Sequence, residues 1–365
     1  MNEQIKVNWY RCKIDKKVMS ELMKSSDLKG AFQCVTHLAL FVVTGTLTYL
    51  AFLNVHHANW QWAVPLLLGA LFVHGTCGSF MGLGGPIHEL GHKTPFKTKI
   101  WNDIFIRIYS FISWSDFIGF RPSHVKHHQV TVHKDHDGEV VLPEALDWAT
   151  VKFFLTRLTL NPYAIYIHIR GWVRSARGDI QDWVFKKEWM DKVMPESNLE
   201  LRREHRNWAR VVVLGQLALA IIFVATGHWF LIVIFTFGCF YASWLTLLCS
   251  APQHIGMTPN VPDFRLCCRT YTCNWFPAFL YWNMQYHVEH HMFPAVPFYN
   301  LGKLRKAMEA DLPPAPHGLW ATWKEIIPVL EKQKTDPNYS YVPKLPRSEG
   351  EFVSESLGIT AAQSV

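Results

Sequence analysis

Histidines at helical spacing are the residues of this sequence that could do chemistry. The chain has 19 His, and segments 124–128 and 287–291 both read His-x-x-His-His, while segment 88–92 reads His-x-x-x-His. Residues three and four positions apart share one face of a helix, so each segment can direct two or three imidazoles at one point. Because imidazole is a good ligand for iron, copper and zinc, the pattern predicts a metal site.

A further histidine, His254, follows a long apolar stretch and joins these segments as a candidate ligand. Nine histidines exceed the need of one tetrahedral zinc ion and suit two metal ions of higher coordination number. The nine positions are His88, His92, His124, His127, His128, His254, His287, His290 and His291.

Three acidic residues lie in or close to the histidine segments: Glu89, Asp137 and Glu289. A histidine ligand usually donates its second ring N–H to a carboxylate or a carbonyl, which fixes the orientation of the ring. We therefore expect these acids to hold ligand imidazoles in place. The alternative for each is an acid on the solvated surface.

Four apolar segments predict helices that span a membrane: Ala31–Leu53, Trp60–Gly85, Val211–Thr226 and Trp229–Cys249. A helix of about 20 apolar residues crosses a hydrocarbon layer of about 30 Å. The links within each pair are short, so the segments form two antiparallel hairpins. Glycines crowd residues 69–85, which predicts close approach between helices.

Basic charge is distributed on one side of these hairpins. The 36 Lys and Arg exceed the 29 Asp and Glu by seven, yet none lies in residues 31–92 or 211–264. By the positive-inside rule, both termini and the segment 93–210 face the cytoplasm. No nucleic-acid motif accompanies the positive charge, so a membrane surface is the favoured partner. The membrane is a bacterial inner membrane or the endoplasmic reticulum, which the sequence does not distinguish.

Apolar and basic residues alternate at helical spacing in Trp101–Phe120 and Val151–Trp172. This pattern predicts helices that lie in the membrane interface, while the polar residues 173–207 form a cap. The expected fold class is an all-α integral membrane protein. Its four transmembrane helices form two hairpins, and interfacial helices and a cytoplasmic helical cap hold a di-metal site.

With these residues in view, the chain resembles the membrane fatty acid desaturase family. That family has three histidine boxes of the forms His-x₃₋₄-His, His-x₂₋₃-His-His and His-x₂-His-His, which match segments 88–92, 124–128 and 287–291. The sequence from Tyr286 to Pro294 resembles the end of the third box in acyl-lipid desaturases. Thr131 and Asp137 resemble the Thr and Asp that follow the second box.

The resemblance extends over roughly residues 30–310 and gives the expected division of the chain. Residues 1–30 form a cytoplasmic N-terminal segment, residues 31–310 a desaturase-like membrane domain with its cap, and residues 311–365 a cytoplasmic tail.

Stearoyl-CoA desaturases, which are similar, have a histidine shortly after the fourth span and an Asn four residues earlier that contacts metal through water. His254 matches that histidine, whereas Ser250 stands at the Asn position. Front-end desaturases have Gln at the first position of the third box, where this chain has His287. The sequence has no His-Pro-Gly-Gly motif of a fused cytochrome b5 domain, so the resemblance implies a separate electron donor.

The resemblance implies an O2-dependent enzyme in which the nine histidines bind two iron ions. The implied reaction is desaturation of a fatty acyl chain, carried on a membrane lipid, on coenzyme A or on acyl carrier protein. The implied electron donor is a ferredoxin or a cytochrome b5 with an NAD(P)H reductase.

Two alternatives remain at this stage. Hydroxylases, ketolases and epoxidases of lipid-like substrates have the same histidine boxes. A membrane metal transporter is the more remote alternative, because it requires ionisable residues along a path through the spans. The predicted spans contain no Asp or Glu, and His37 and His74 are their histidines.

Overall fold

The structure, a computed structural model, describes residues 5–140, 145, 147–180 and 185–346. Within these residues the chain is helical, and its extended pairings are isolated bridges. The predicted all-helical class is therefore confirmed for the described part of the chain. Its α-helices are α1 Lys16–Leu22, α2 Asp27–Leu53, α3 Trp60–Ser79, α4 Pro86–Gly91, α5 Lys99–Ile112, α6 Phe117–Val130, α7 Trp148–Leu155, α8 Pro162–Arg177, α9 Lys187–Val193, α10 Leu199–Ala225, α11 Trp244–Ser250, α12 Phe264–Cys267, α13 Trp275–Leu280, α14 His287–Met292, α15 Leu301–Met308 and α16 Gly318–Gln333.

The chain forms two compact units. The first contains the described parts of residues 1–26, 124–152 and 248–365, and the second contains those of residues 27–123 and 153–247. Each unit thus combines segments that are distant in sequence.

Three helices of the second unit, α2, α3 and α10, are long and apolar enough to cross a membrane. The mean hydropathy of their most apolar windows is 1.6, 1.3 and 2.1, respectively. Large apolar side chains are exposed on their surfaces, including Leu47 on α2 and Leu214 on α10. Exposed apolar surface of this extent is what a lipid environment requires. These helices correspond to three of the four predicted spans.

The fourth predicted span, Trp229–Cys249, is not one continuous helix. A π-helix occupies Ile232–Thr236, and the chain then leaves helical conformation before α11 begins at Trp244. Ala242 in this break has φ +51, in the left-handed region that a regular helix excludes. The expectation of a continuous fourth helix was therefore wrong, and the crossing of a membrane by this segment stays a prediction.

Close packing that involves glycines of the second unit surrounds this break. A Cβ atom at Gly78 of α3 would lie 2.4 Å from the backbone oxygen of Gly238, and one at Gly75 would lie 2.3 Å from the Tyr241 ring. A regular helix with larger side chains would not fit in this space. The glycine-rich end of the second span thus serves close packing, as its composition predicts.

The two predicted interfacial helices are each divided. Trp101–Phe120 covers α5 and the start of α6, which are separated at Trp114 with φ +50. Val151–Trp172 covers the end of α7 and most of α8. Asn161 caps α8 by accepting a hydrogen bond from Ala164 N–H at 3.0 Å, and Pro162 follows at the first helical position. This cap and proline explain a new helix start there.

The first unit includes part of the segment predicted as a tail. Ile326 and Leu330 of α16 pack against Ile255 in a buried cluster. Farther along the chain, the backbone N–H of Tyr341 donates to Gly256 O at 2.7 Å. The tail is therefore packed within this unit at least as far as Tyr341.

Candidate metal centre

Short helices present the histidine segments. The second box lies in the C-terminal half of α6, and the third box forms α14 itself. The first box lies on α4, where Pro86 at the first helical position follows Gly85. Proline there is preorganised for a helix, since its φ is already fixed. His254 follows a 3₁₀ turn at Ala251–Gln253.

Four histidines of the first unit converge at one point: His127, His254, His287 and His291. All four are buried, and each offers a ring nitrogen within 4.8 Å of the others. His287 Nε2 lies 2.9 Å from His254 Nε2 and 3.0 Å from His291 Nε2. The structure thus brings together ligand candidates from the second box, the third box and the region after the predicted fourth span.

Neighbouring acceptors determine the tautomers of this cluster. Three of its outer nitrogens have an acceptor within reach, namely Asp137 Oδ2 at 2.8 Å from His127 Nδ1, Cys267 O at 3.0 Å from His254 Nδ1, and Thr131 Oγ1 at 3.2 Å from His291 Nδ1. The Thr131 hydroxyl donates its own proton to the carbonyl of His127, so its oxygen accepts from His291. In a neutral ring, a proton at Nδ1 leaves Nε2 without one.

The Nε2 atoms of His254 and His291 therefore carry lone pairs that point at His287 Nε2, and one proton on that atom can satisfy only one of the two contacts. Lone pairs about 3 Å apart repel unless a proton or a cation lies between them, and burial excludes water as a screen. Imidazole lone pairs that converge in a buried site fit a transition-metal ion. The donor set thus suits a metal ion, with the outer acceptors orienting each ring as in known histidine–metal sites.

The pKa values of the cluster follow from burial and from one carboxylate. Burial lowers the pKa of His254 to about 3, and burial together with the neighbouring imidazoles holds the pKa of His291 well below its usual value. Burial also disfavours the charged form of His127, but Asp137 more than offsets this and raises its pKa. The His127 ring and backbone N–H donors in turn lower the pKa of Asp137 against the effect of burial. Neutral imidazole is the form that binds a metal.

A second set in the same unit contains His124, His128 and His290, whose ligand atoms also lie within 4.8 Å of one another. His128 Nε2 is 3.0 Å from His124 Nε2, and Glu139 Oε1 is 2.6 Å from His124 Nδ1. Sequence reasoning missed Glu139. The sequence feature that could have indicated Glu139 is its position two residues after Asp137, in the loop that follows the second box.

The first box lies in the second unit. His88 and His92 have ring centroids 5.3 Å apart on α4, as their spacing of four residues requires. Glu89 between them is buried and accepts a hydrogen bond from Thr94 Oγ1 at 3.5 Å. Ser250, at the position where similar enzymes have Asn, is the last residue of α11 and is half-buried.

Glu289 of the third box is fully buried and has two partners. Its carboxylate accepts from Thr270 Oγ1 at 2.6 Å and from Arg305 Nη1 at 2.6 Å. Thr270 Oγ1 in turn accepts from the backbone N–H of Val288 at 3.1 Å. Glu289 therefore acts on the third box by anchoring the first turn of α14 through Thr270.

A model of one protein family, described as Fatty acid desaturase, matches residues 60–323. The match covers more than half of the chain and includes all nine candidate histidines. No curated protein matches the chain.

Proposed function

Because the chain belongs to the fatty acid desaturase family, we propose that it desaturates a fatty acyl or related lipid chain with O2 at a histidine-bound di-iron centre. Membership of this family implies an oxidoreductase. The observation that carries the proposal is the convergence of buried imidazoles on one point, with acceptors such as Asp137 at their outer nitrogens. Such a donor set is suited to hold a redox metal in an environment free of water.

The proposed ligand set combines both histidine groups of the first unit with the first box. The spacing of the first box and its place in the family pattern support its inclusion. The nine ligands are His88, His92, His124, His127, His128, His254, His287, His290 and His291. Bound iron would supply activation of O2 for attack on an unactivated C–H bond.

The protein groups around the site keep the rings oriented. Asp137 and Glu139 accept from ring nitrogens of His127 and His124, respectively. In the proposed site, Glu89 and Ser250 also support ligands from the outside, while Glu289 holds α14. Outer contacts of this kind fix the direction in which each ligand points.

We place the protein in a membrane with several spans and with both termini and the active site on the cytoplasmic side. The three long apolar helices and the distribution of Lys and Arg support this topology. The proposed substrate is an acyl-lipid, an acyl-CoA or an acyl carrier protein thioester. Electrons would come from a separate ferredoxin or cytochrome b5 with its NAD(P)H reductase.

The described contacts weigh against a metal transporter. His74 of α3 lies with Nδ1 2.9 Å from Thr44 Oγ1 and Nε2 3.1 Å from Ile234 O, so both ring nitrogens serve packing of the second unit. A transport path would instead need ionisable groups left available to an ion. Hydroxylation, ketone formation or epoxidation on the same scaffold remains the alternative reaction.

The test is to purify the protein, count its metal ions, and analyse the oxidised lipids by mass spectrometry. We expect two irons per chain and a product that has lost two hydrogens. A product that has gained one oxygen atom would identify the hydroxylase or epoxidase alternative. Zinc in place of iron, or full activity in His124→Ala with full iron content, would contradict the proposal.

A further inference from the structure

The second unit contains a cavity that the metal ligands do not use. It has an empty volume of about 510 Å³, including the part open to solvent, and lies beside the start of α6. Its apolar wall includes Leu83, Phe120 and Met190, while Asp116, Ser175 and His205 contribute polar atoms. The cavity is thus mostly apolar with a few polar groups, as is typical of sites for small organic ligands.

Two of these polar side chains each have a buried atom without a hydrogen-bond partner among the described residues. His205 is 4% exposed and Ser175 is 1% exposed. His205 Nε2 and Ser175 Oγ have no hydrogen-bond partner among the described residues, although both side chains line the cavity. A buried polar group that lacks a partner costs free energy, which a ligand with a matching group recovers.

Asp116 holds the imidazole of His205 at its other nitrogen. Asp116 Oδ2 lies 2.9 Å from His205 Nδ1, while Asp116 Oδ1 accepts from the backbone N–H groups of Ile118 and Gly119 at 3.2 and 3.1 Å. The carboxylate is fixed at the start of α6, where a helix favours negative charge. Position 119 has no room for a side chain, since a Cβ there would lie 2.3 Å from Asp116 Oδ2. The geometry therefore leaves Nε2 as the nitrogen that faces a ligand.

The charge of the cavity selects an uncharged ligand group. No Lys or Arg is among the described residues that line it. Burial disfavours the charged form of His205, but Asp116 more than offsets this and raises the pKa of His205, so a positive charge on that imidazole is balanced by the Asp116 carboxylate and is not left over for a phosphate or a carboxylate. His168, also in the wall, is neutral because burial lowers its pKa to about 4. A hydroxyl or carbonyl oxygen matches both the imidazole nitrogen and the serine hydroxyl.

The cavity also adjoins the first histidine box within the same unit. Phe120 lines the cavity, and its ring centroid lies 6.2 Å from that of His88. A molecule in the cavity is therefore separated from a proposed iron ligand by one aromatic side chain.

From these contacts we infer that the cavity binds a neutral oxygen group, a hydroxyl or a carbonyl, on an apolar substrate, and that Ser175 and His205 recognise it. The inference rests on the proposed function, because it takes the occupant to be the substrate of the oxygenase. On this inference, Ser175 and His205 determine substrate specificity. The substrate is then a lipid that carries an uncharged oxygen group at this position.

The experiment uses three photo-reactive probes on the full-length protein as purified, in lipid nanodiscs. The probes are a long-chain alcohol, the matching alkane and the matching fatty acid, each with the same diazirine group. Labelling of the peptides that contain Phe120 and Met190 is measured by mass spectrometry. Because the three probes partition into the lipid to different extents, labelling is compared at equal concentrations of probe in the nanodisc.

We expect the alcohol to label the cavity roughly tenfold more than the alkane, the effect of about one hydrogen bond. Ser175→Ala and His205→Leu should remove most of this preference. The matched control is Ser110→Ala, since Ser110 is fully buried in the same unit and its hydroxyl has no described partner, but it does not line the cavity. The control should keep the preference.

Equal labelling by alcohol and alkane would overturn the inference, as would stronger labelling by the fatty acid or an equal loss in Ser110→Ala. The labelling needs no turnover, so its outcome is separate from that of the proposed function. A chain without iron or oxidised product would contradict the oxygenase while leaving the labelling result intact.

Discussion

The two units contain the same kind of pair, a buried histidine beside an aspartate, in two different surroundings. In the first unit His127 Nδ1 lies 2.8 Å from Asp137, and in the second His205 Nδ1 lies 2.9 Å from Asp116. The Nε2 atom of His127 converges with three other imidazoles, whereas that of His205 lines a cavity with apolar walls. In both pairs a carboxylate oxygen lies against Nδ1 of the imidazole, although the contact has hydrogen-bond geometry at His127 and not at His205. What the free nitrogen faces determines whether the histidine suits a metal or a ligand.

The largest expected difference between the pairs concerns the metal. We expect His127→Ala to lose iron. Its loss of activity should exceed about 100-fold, the upper end of what mutations of ligand-supporting groups cost. His205→Ala should keep its iron, because its imidazole is directed at the cavity. Both variants are compared by metal analysis and by turnover at saturating substrate. Equal loss of iron in the two variants would remove the distinction between the pairs.

The carboxylates of the two pairs give the next test. Asp137→Asn should weaken iron binding by about 10–100-fold, since the amide no longer fixes the tautomer of a ligand. Asp116→Asn likewise removes a carboxylate charge, here beside His205 of the cavity, and should leave iron affinity unchanged. Competition with a chelator at fixed free iron measures both. Normal iron affinity in Asp137→Asn would mean that the other ligands alone orient His127.

Much of the candidate metal site was predictable because its histidines repeat at helical spacing. Segments 124–128 and 287–291 each place their imidazoles on one helix face, and the structure does form helices there. His254 carries no such pattern; its position after an apolar stretch made it a candidate, and the resemblance to a family then supported it. The three helices that are long and apolar enough to cross a membrane were predictable from length and hydropathy alone.

The rest of the structure depends on contacts between residues distant in sequence. Glu139 reaches His124 across 15 residues, and Asp116 lies 89 positions before His205, so no local pattern reveals either pair. The fourth apolar segment has the composition of a helix, yet its helix is interrupted where the segment packs closely against Gly78. Composition predicts which segments are apolar, whereas the backbone conformation within such a segment depends on the residues that pack against it.

Glu139 allows a finer test within the metal site. Its side chain is 12% exposed against 1% for Asp137, so water can replace part of its role. We expect Glu139→Gln to weaken iron binding by about tenfold, at the lower end of the range for such groups. The chelator competition used for Asp137→Asn measures it. A larger effect in Glu139→Gln than in Asp137→Asn would mean that the His124 group, rather than the His127 group, dominates iron affinity.

The smallest expected effect concerns the N-terminal segment of the first unit. The Trp9 indole stacks on Phe264 with ring centroids 4.0 Å apart, and Phe264 in turn lies 5.3 Å from the His291 ring. Trp9 Nε1 also donates to Gln129 O at 3.0 Å, next to the second box. Trp9 is only half-buried. We therefore expect Trp9→Ala to destabilise the first unit by about 1–3 kcal/mol and to speed iron loss.

Thermal unfolding and the rate of iron release to a chelator measure this effect. The matched control is Trp275→Ala, because Trp275 belongs to the same unit but is 78% exposed. The control should behave as the wild type, and Trp9→Ala should leave labelling of the His205 cavity unchanged. If Trp9→Ala altered the cavity as strongly as iron release, the N-terminal segment would stabilise the whole chain. An effect limited to iron would assign this segment to the metal-holding unit alone, and the two histidine–aspartate pairs would then be supported independently.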